Sequence, residues 1–146
     1  MRGPRTGRCA CGAVAYEAEV PAEYGACHCA TCRRWAGGVY MAIRGRGVRF
    51  SAPENILCWR SSEWAERGSC RVCGSALYWR FLDGDEHMLN VGTLDDQSGL
   101  TFGQEVFVEE QPGHYRFAGE RETMTGAELM MKYGGGDAAG QKESGP

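Results

Sequence analysis

Apolar and polar residues alternate in short runs along most of the chain, and glycines separate the runs. Alternation with a period of two, together with many β-branched and aromatic residues, is typical of half-buried strands. Strands are predicted over residues 13–20, 39–43, 48–50, 55–60, 76–81, 87–91 and 105–108. Glycine makes up 22 of the 146 residues, about twice the average usage, and this excess favours tight turns between strands. The pattern predicts a mainly β protein built of short antiparallel strands.

One short helix is predicted near the end of the patterned region. Thr125 precedes the helical stretch "GAELMMKY", and Glu128 follows three residues later, which is the spacing of a capping box. From Gly134 onward, "GGGDAAGQKESGP" has no apolar period and many glycines and polar residues. Such a segment buries too little apolar surface to order itself, so residues 134–146 are predicted to be a flexible tail. The rest of the chain fits one domain.

The charge balance argues against two classes of partner. The net charge is −3, and nucleic acid or an anionic membrane surface would require a basic patch instead. No apolar run approaches the roughly 18 residues that span a bilayer, and no apolar segment follows the basic residues at the N-terminus. We therefore expect a cytoplasmic protein without nucleic-acid or membrane partners, and we leave open whether it is a homodimer.

Seven of the eight cysteines fall in three tight clusters. The clusters are Cys9 with Cys11, Cys27 with Cys29 and Cys32, and Cys70 with Cys73. An even number of cysteines also suits a disulfide framework, but such frameworks belong to secreted proteins and no export signal is evident. Close spacing suits several thiolates that converge on one ion, so zinc is the favoured explanation.

The two outer clusters together provide four thiols. Two pairs of cysteines that meet at one metal ion form a closed tetrahedral site, which leaves no position for a substrate. Such a site stabilises the fold by joining distant parts of the chain. Gly74 suits the tight turn that the second pair needs. We expect a structural zinc on Cys9, Cys11, Cys70 and Cys73.

The middle cluster, "CHCATC" at residues 27–32, provides three thiols and no adjacent fourth ligand. Three protein ligands and an open position are typical of zinc sites that carry out chemistry. Three thiolates leave a formal charge of about −1, which makes the ion a poor source of hydroxide. The site suits a sulfur ligand better, because zinc keeps a fourth thiolate deprotonated at neutral pH. Cys27, Cys29 and Cys32 are therefore predicted to form a second, open zinc site.

The fourth ligand of the middle cluster has several candidates. They are His28, Cys58, a distant acidic residue, water and a bound ligand. His28 lies between two of the thiols and would have to bend back sharply to reach the ion. Cys58 lies in the apolar run "NILCWR", where a buried cysteine behaves as a small hydrophobic residue. Closure by either residue would make this a second structural site.

Arg33 and Arg34 directly follow the third thiol. Guanidinium groups bind carboxylates through two hydrogen bonds, so beside a thiophilic metal they suit a small thiol that also bears carboxylates. Glutathione is such a molecule, and both arginines are predicted substrate-binding residues. The alternative is that one of the pair only offsets the negative charge of the zinc and its thiolates.

These motifs resemble, in order, those of the glutathione-dependent formaldehyde-activating enzyme family, which shares a domain with centromere protein V. The resemblance rests on "GRCACGAVAYE" (7–17), "CHCATCRRWAG" (27–37), "CRVCGSALYW" (70–79) and "NVGTLDD" (90–96), and it covers most of residues 5–118. It implies a mostly β zinc fold called a β-tent, which we assign to residues 5–133. It also implies one zinc on each of the two cysteine sets.

The activity that the resemblance implies joins glutathione to formaldehyde to give S-(hydroxymethyl)glutathione, formally a carbon-sulfur lyase reaction in reverse. The catalytic residues would be Cys27, Cys29 and Cys32, with Asp95 or its neighbour Asp96 as the acid. An Asp pair after a strand more often makes a turn, because Asp bonds its own backbone. The alternative function is a non-catalytic zinc module that binds a thiol ligand or a protein partner.

The sequence departs from the family pattern in the stretch "EVFVEEQPGHYRF". Glu105 stands where many relatives have a histidine, and His114 stands where a tryptophan is common. If that histidine serves the active site, its loss bears on formaldehyde chemistry, whereas the cysteine pattern is unaffected.

Overall fold

The computed structural model describes residues 2–133. Within this part of the chain there are ten strands and two α-helices. The strands are β1 (Arg2–Arg8), β2 (Ala15–Pro21), β3 (Glu23–Cys27), β4 (Tyr40–Phe50), β5 (Ile56–Arg60), β6 (Ala65–Cys70), β7 (Ala76–Phe81), β8 (His87–Asn90), β9 (Thr101–Val106) and β10 (Glu122–Met124). The helices are α1 (Ala30–Ala36) and α2 (Gly126–Tyr133), and short 3-10 turns cover Pro53–Asn55, Val91–Thr93 and Val108–Glu110. The predicted tail, residues 134–146, lies outside the described residues.

The strands hydrogen-bond into a large sheet that is mainly antiparallel. The order across the described region is β10-β9-β3-β4-β8-β7-β6-β5, while β2 pairs with β4 and β1 pairs with β2. Strand β9 runs parallel to both β3 and β10, and the other pairs are antiparallel. The prediction of a mainly β fold with one short C-terminal helix is confirmed, and helix α1 is added to it.

The apolar core lies on the side of the sheet to which alternate residues of β2 point. Along "AYEAEVP", Tyr16, Ala18 and Val20 are buried whereas Glu17 and Glu19 are exposed, which is the period of two of a half-buried strand. These side chains pack with others from β4, β5, β7, β8 and the adjoining loops: Val14, Ile43, Ile56, Leu77, Tyr78, Leu89, Val91 and Leu94. Removal of this cluster from water is the main driving force that holds the sheet together.

Strand β4 is continuous where the sequence predicts two strands, over residues 39–43 and 48–50. The glycines of "RGRG" resemble an interruption, but both have a role inside the strand. A β-carbon on Gly45 would lie 2.5 Å from Leu89 Cδ1, so glycine allows β4 and β8 to pack closely. Gly47 has a φ of +57° and lies where the pairing of β2 with β4 shifts register. The glycines mark a close approach and a bulge rather than a chain break.

Helix α1 is missing from the sequence prediction because its start is a cysteine. Cys29 caps the helix: its Sγ accepts a hydrogen bond from Cys32 N at 3.3 Å, in the position usually held by Ser, Thr, Asp or Asn. The helix ends at Gly37, whose φ of +86° is the left-handed conformation common at C-caps.

Strands β3 ("EYGAC") and β6 ("AERGSC") are also missed, because glycine and small or charged residues hide their alternation. Both segments are strands because each one hydrogen-bonds to a neighbouring strand on either side.

Helix α2 has the bounds and the cap that the sequence predicts. Glu128 N donates to Thr125 Oγ1 at 3.1 Å, and Thr125 N donates to Glu128 Oε1 at 2.8 Å, which completes the capping box. Neither this helix nor α1, in the part of the chain that the structure describes, has the length and apolarity to cross a membrane.

Gly7→Ala is expected to destabilise the fold by about 1–3 kcal/mol, the usual cost of forcing an extra group into a packed site. Gly7 forms a bridge to Leu94, and a β-carbon there would overlap the Tyr16 ring and lie 2.7 Å from the Thr93 carbonyl oxygen. Gly3→Ala in the same strand is the control, because nothing lies within 4 Å of its β-carbon position. Chemical denaturation measures both changes, and equal stability of the two variants would contradict this packing.

Candidate metal centres

The first cluster consists of Cys9, Cys11, Cys70 and Cys73, which two loops bring together. Cys9 and Cys11 follow β1, Cys70 ends β6, and Cys73 lies in the turn before β7. The four sulfurs all lie within 4.8 Å of one another. Cys9 Sγ is 3.7 Å from Cys11 Sγ, which is 3.8 Å from Cys70 Sγ. Sulfurs placed tetrahedrally at about 2.3 Å from zinc lie about 3.8 Å apart, so these side chains fit one metal ion.

Both loops of the first cluster turn back on a glycine. Gly12 has a φ of +85° and donates its N–H to Cys9 O at 3.2 Å. Gly74 has a φ of +83° and donates its N–H to Cys70 O at 2.8 Å. Left-handed backbone at these positions favours glycine over residues with a β-carbon, so the two "Cys-Gly" pairs in the sequence are part of the site's construction.

Hydrogen-bond donors surround the sulfurs of the first cluster. Val14 N donates to Cys9 Sγ at 3.3 Å and Ala13 N to Cys11 Sγ at 3.4 Å, while Val72 N and Cys73 N both donate to Cys70 Sγ at 3.4 Å. Ser75 Oγ lies 3.1 Å from Cys73 Sγ and lowers the pKa of that thiol to about 5. Donors of this kind favour the thiolate, which is the form that binds metal.

The second cluster consists of Cys27, Cys29 and Cys32, whose sulfurs also lie within 4.8 Å of one another. Cys27 is the last residue of β3, Cys29 caps α1, and Cys32 lies in the first turn of that helix. Cys32 is only 2% exposed, whereas the other two are partly exposed. Among residues 2–133 no fourth Cys, His, Asp or Glu belongs to this group. The cluster therefore offers three thiols and an open side.

Neither sequence candidate for a fourth protein ligand joins the second cluster. Both ring nitrogens of the fully buried His28 are engaged elsewhere: Nδ1 lies 2.7 Å from the Tyr115 hydroxyl, and Nε2 lies 2.7 Å from Glu105 Oε1. Cys58 is exposed on β5, and its Sγ lies 3.8 Å from the Tyr78 hydroxyl. The prediction that Cys58 is buried is wrong, because β5 is the last strand in the described sheet and has a partner on one side only.

A buried polar network of His28, Glu105 and Arg121 lies beside the second cluster, on the side to which His28 points. His28 shares Glu105 with Arg121, whose Nη1 donates to Glu105 Oε2 at 2.5 Å. The guanidinium of Arg121 also lies over the ring of Phe102, 4.0 Å from its centroid. Burial raises the pKa of Glu105, but the hydrogen bonds from His28 and Arg121 prevail and hold it below its usual value. The network connects residues 27–32, which we call the cysteine loop, to β9 and to the segment before β10.

The two predicted substrate arginines differ in their surroundings. Arg33 is partly buried, and its Nε donates to the His28 carbonyl oxygen at 2.8 Å. Arg34 is exposed. Residues in a helix are about 100° apart, so Arg34 lies about 200° from Cys32 and faces away from the thiols.

Arg67 is the charged residue at the second cluster that the sequence prediction misses. It lies on β6, is 9% exposed, and donates from Nη1 to Cys32 Sγ at 3.5 Å. Hydrogen bonds from Cys27 and Cys29, together with the charge of Arg67, hold the pKa of Cys32 well below its usual value. The sequence does contain a signal, which is an arginine at a core-facing position of "AERGSC". That position can be recognised only after the stretch has been assigned as a strand.

Neither Asp95 nor Asp96 belongs to the group of side chains that meets at the second cluster. Asp95 Oδ2 accepts a hydrogen bond from Thr6 Oγ1 at 2.8 Å, and Asp95 pairs with Arg8 at 3.5 Å. Asp96 Oδ1 accepts from Ser98 N at 2.9 Å, the turn-forming bond expected of an Asp pair. Asp95 also lines a groove of about 500 Å³, together with residues of the first cluster's loops and with Ala36 of α1.

The comparison with protein families covers both clusters. A family model described as glutathione-dependent formaldehyde-activating enzyme matches residues 4–110. This span includes all seven clustered cysteines. The chain belongs to this family. The two cysteine clusters, each able to hold a metal ion, are therefore part of the family's domain in this chain.

Two other proteins are similar to this chain over most of its length. A Schizosaccharomyces pombe protein described as an uncharacterized lyase is 32% identical over 128 residues, which are 85% of this chain and 93% of the yeast protein. The crystal structure of a Rhodobacter sphaeroides protein, a structural genomics target, is 29% identical with a TM-score of 0.51. That match covers 62% of this chain and 87% of the Rhodobacter chain. The resemblance inferred from the motifs is confirmed.

The two clusters are expected to respond differently to the loss of one thiol. Cys73→Ser should lose the fold, because the first cluster joins distant loops through the metal. Cys29→Ser should stay folded with one metal ion fewer, since a serine hydroxyl also caps α1. Metal content and circular dichroism measure both effects, and Cys58→Ser is the control because Cys58 is exposed outside both clusters. Loss of the fold in both cluster variants alike would show that the division of roles is wrong.

Glu105→Ala is expected to destabilise the domain by about 3–5 kcal/mol, because it leaves Arg121 buried without its counter-ion. The difference from the wild type should shrink in acid: the pKa of Glu105 is lowered in the folded state, so its contribution is present above the unfolded pKa and is lost as pH falls through the folded value. Thermal unfolding from pH 7 down to the lowest pH at which the metal stays bound tests this, with the exposed Glu120→Ala as control. A Glu105→Ala variant as stable as the control at pH 7 would be incompatible with the network.

Proposed function

We propose that this chain is a zinc-dependent carbon-sulfur lyase that acts on a glutathione adduct such as S-(hydroxymethyl)glutathione. The observation that carries the proposal is the second cluster, where three thiols converge without a fourth protein ligand among residues 2–133. Family membership and the relative described as a lyase support a glutathione-related lyase reaction. We assign a structural zinc to the first cluster, whose four thiols leave no position for a substrate.

The second cluster has the donors and the spacing that zinc requires. Zinc bound there would keep the sulfur of a substrate thiol ionised as its fourth ligand. The protein's own part is to hold Cys27 at the end of β3 and Cys29 and Cys32 at the start of α1. Because a strand and a helix set these positions, the substrate meets an ordered site, which favours correct orientation.

Arg33 is the better of the two arginine candidates for a substrate carboxylate. It follows Cys32 directly. Its Nε donates to the His28 carbonyl oxygen, and this hydrogen bond fixes the guanidinium beside the cysteine loop. Arg34 faces away from the thiols and is exposed. We therefore assign carboxylate binding to Arg33, whose remaining N–H groups can form a bidentate pair.

The groove lined by Asp95 is our candidate location for the rest of the substrate. Ala36, at the end of the helix that carries Cys32, lines the same groove, and Arg8 and Ser75 add polar groups to it. A tripeptide with two carboxylates and an amino group needs such groups of both signs. Asp95 is the carboxylate in this groove, and it can pair with the amino group of glutathione.

The proposed step forms one carbon-sulfur bond. The glutathione thiolate attacks the carbonyl carbon of formaldehyde, the electron pair of the C=O bond moves to oxygen, and a proton from water completes the hydroxymethyl group. The proton lost by the thiol balances the one gained by the oxygen. Formaldehyde reacts readily with free thiolates, so orientation and deprotonation are what the protein contributes.

Glutathione is expected to bind the zinc-loaded protein through the second cluster. Isothermal titration of wild type should give one site per chain, and Cys29→Ser should abolish the binding while Cys58→Ser leaves it unchanged. Nuclear magnetic resonance exchange spectroscopy at equilibrium would then measure whether the wild type speeds interconversion of formaldehyde and its glutathione adduct.

Two results would count against the proposed function. Tightly held metal at both clusters without glutathione binding would favour the non-catalytic zinc module. Glutathione binding without faster interconversion would favour a thiol-binding protein instead of an enzyme.

A further inference from the structure

Arg67 is a buried cation whose hydrogen-bond acceptor is a thiol of the second cluster. Its Nη1 donates to Cys32 Sγ at 3.5 Å, while its Nε is buried and has no partner among residues 2–133. None of the carboxylates in the described chain pairs with it, and the adjacent Glu66 pairs with Arg80 at 3.0 Å. A buried charge without a counter-ion is costly. The arrangement therefore requires negative charge at the thiol cluster.

Packing holds the guanidinium of Arg67 beside the cluster. Its central carbon lies 5.0 Å from the centroid of the Trp35 ring, a cation–π contact. Trp35 in turn packs against Tyr40, with ring centroids 5.4 Å apart. Trp35 and Cys32 belong to the same helix, so α1 presents both the thiol and the aromatic surface to Arg67. The positive charge thus has a fixed position relative to the metal ligands.

We propose that Arg67 determines the ligand class of the second cluster by making it accept an anionic sulfur ligand. A divalent ion on three thiolates carries a formal charge of about −1, so a further anion is repelled unless a cation lies beside it. With Arg67 included, the assembly is neutral and a thiolate enters without that repulsion. This inference rests on the proposed function, because it takes a thiol to be the ligand.

The arginines of the sequence motif do not occupy this position. Arg33 donates to the His28 carbonyl oxygen, and Arg34 is exposed on the far side of α1. The charge compensation that the sequence assigns to one of them belongs to Arg67 in this proposal. Arg33 then stays free for a substrate carboxylate, and the two guanidinium groups have separate roles.

The test uses the zinc-loaded full chain and compares two ligands that bind as thiolates, glutathione and 2-mercaptoethanol, with the neutral ligand imidazole. Glutathione, 2-mercaptoethanol and imidazole are titrated calorimetrically into wild type, Arg67→Met and Arg67→Lys, and zinc content is measured in each. Arg67→Met should bind both thiols about 10- to 100-fold more weakly, because the entering thiolate loses a neighbouring positive charge, while imidazole binding stays unchanged. Arg67→Lys keeps the charge and should keep most of the thiol affinity. The control is Arg60→Met, an exposed arginine on the neighbouring strand β5.

Several results would overturn the role of Arg67. They are unchanged thiol binding by Arg67→Met, an equal loss of imidazole binding, an equal loss in Arg67→Lys, or no binding of either thiol to wild type. If Arg67→Met does not fold, Arg67→Lys decides: retained thiol binding supports the proposal, and lost binding at normal zinc content contradicts it. Binding of 2-mercaptoethanol but not glutathione, with the expected dependence on Arg67, would refute the proposed substrate while supporting the role of Arg67.

Discussion

The convergence of Cys9, Cys11, Cys70 and Cys73, whose sulfurs lie within 4.8 Å of one another, is the constraint that joins distant parts of the fold. Four thiolates at this spacing would repel one another, and a shared cation would remove that repulsion. Cys11 and Cys70 are 59 residues apart in the chain, and their meeting joins the loop after β1 to the turn between β6 and β7. The end of the sheet at which β5 has a partner on one side only is thereby connected to the loop that follows the first strand of the chain.

The two clusters obtain their chemistry from different kinds of neighbour. Around the first, backbone N–H groups of the same short loops donate to the sulfurs, so local turn geometry with Gly12 and Gly74 builds each half of it. Around the second, the decisive neighbours are side chains from elsewhere, Arg67 on β6 and Glu105 on β9. A locally built site suits a permanent structural role, whereas one completed by distant elements can be adjusted to a ligand.

The sequence was informative where the physical cause is local. The alternation along β2, the capping box of α2 and the cysteine pairs of the first cluster follow from neighbouring residues alone. It was misleading where a residue has an unusual role, as with Gly45 and Gly47 inside β4. The surroundings of the second cluster could not be predicted, because the position of Arg67 depends on the pairing of β6 with β5 and β7.

The cysteine loop has two faces because its side chains alternate. Cys27 and Cys29 point to the third thiol, Cys32, while His28 between them is fixed by Glu105 and Tyr115 on the other side. The backbone N–H of His28 is also bonded to Val106 of β9. The loop therefore loses its conformational entropy when the domain folds and not when an ion arrives. Binding and release of a metal ion at this cluster would then be ligand exchange on a preformed frame, without a local folding transition.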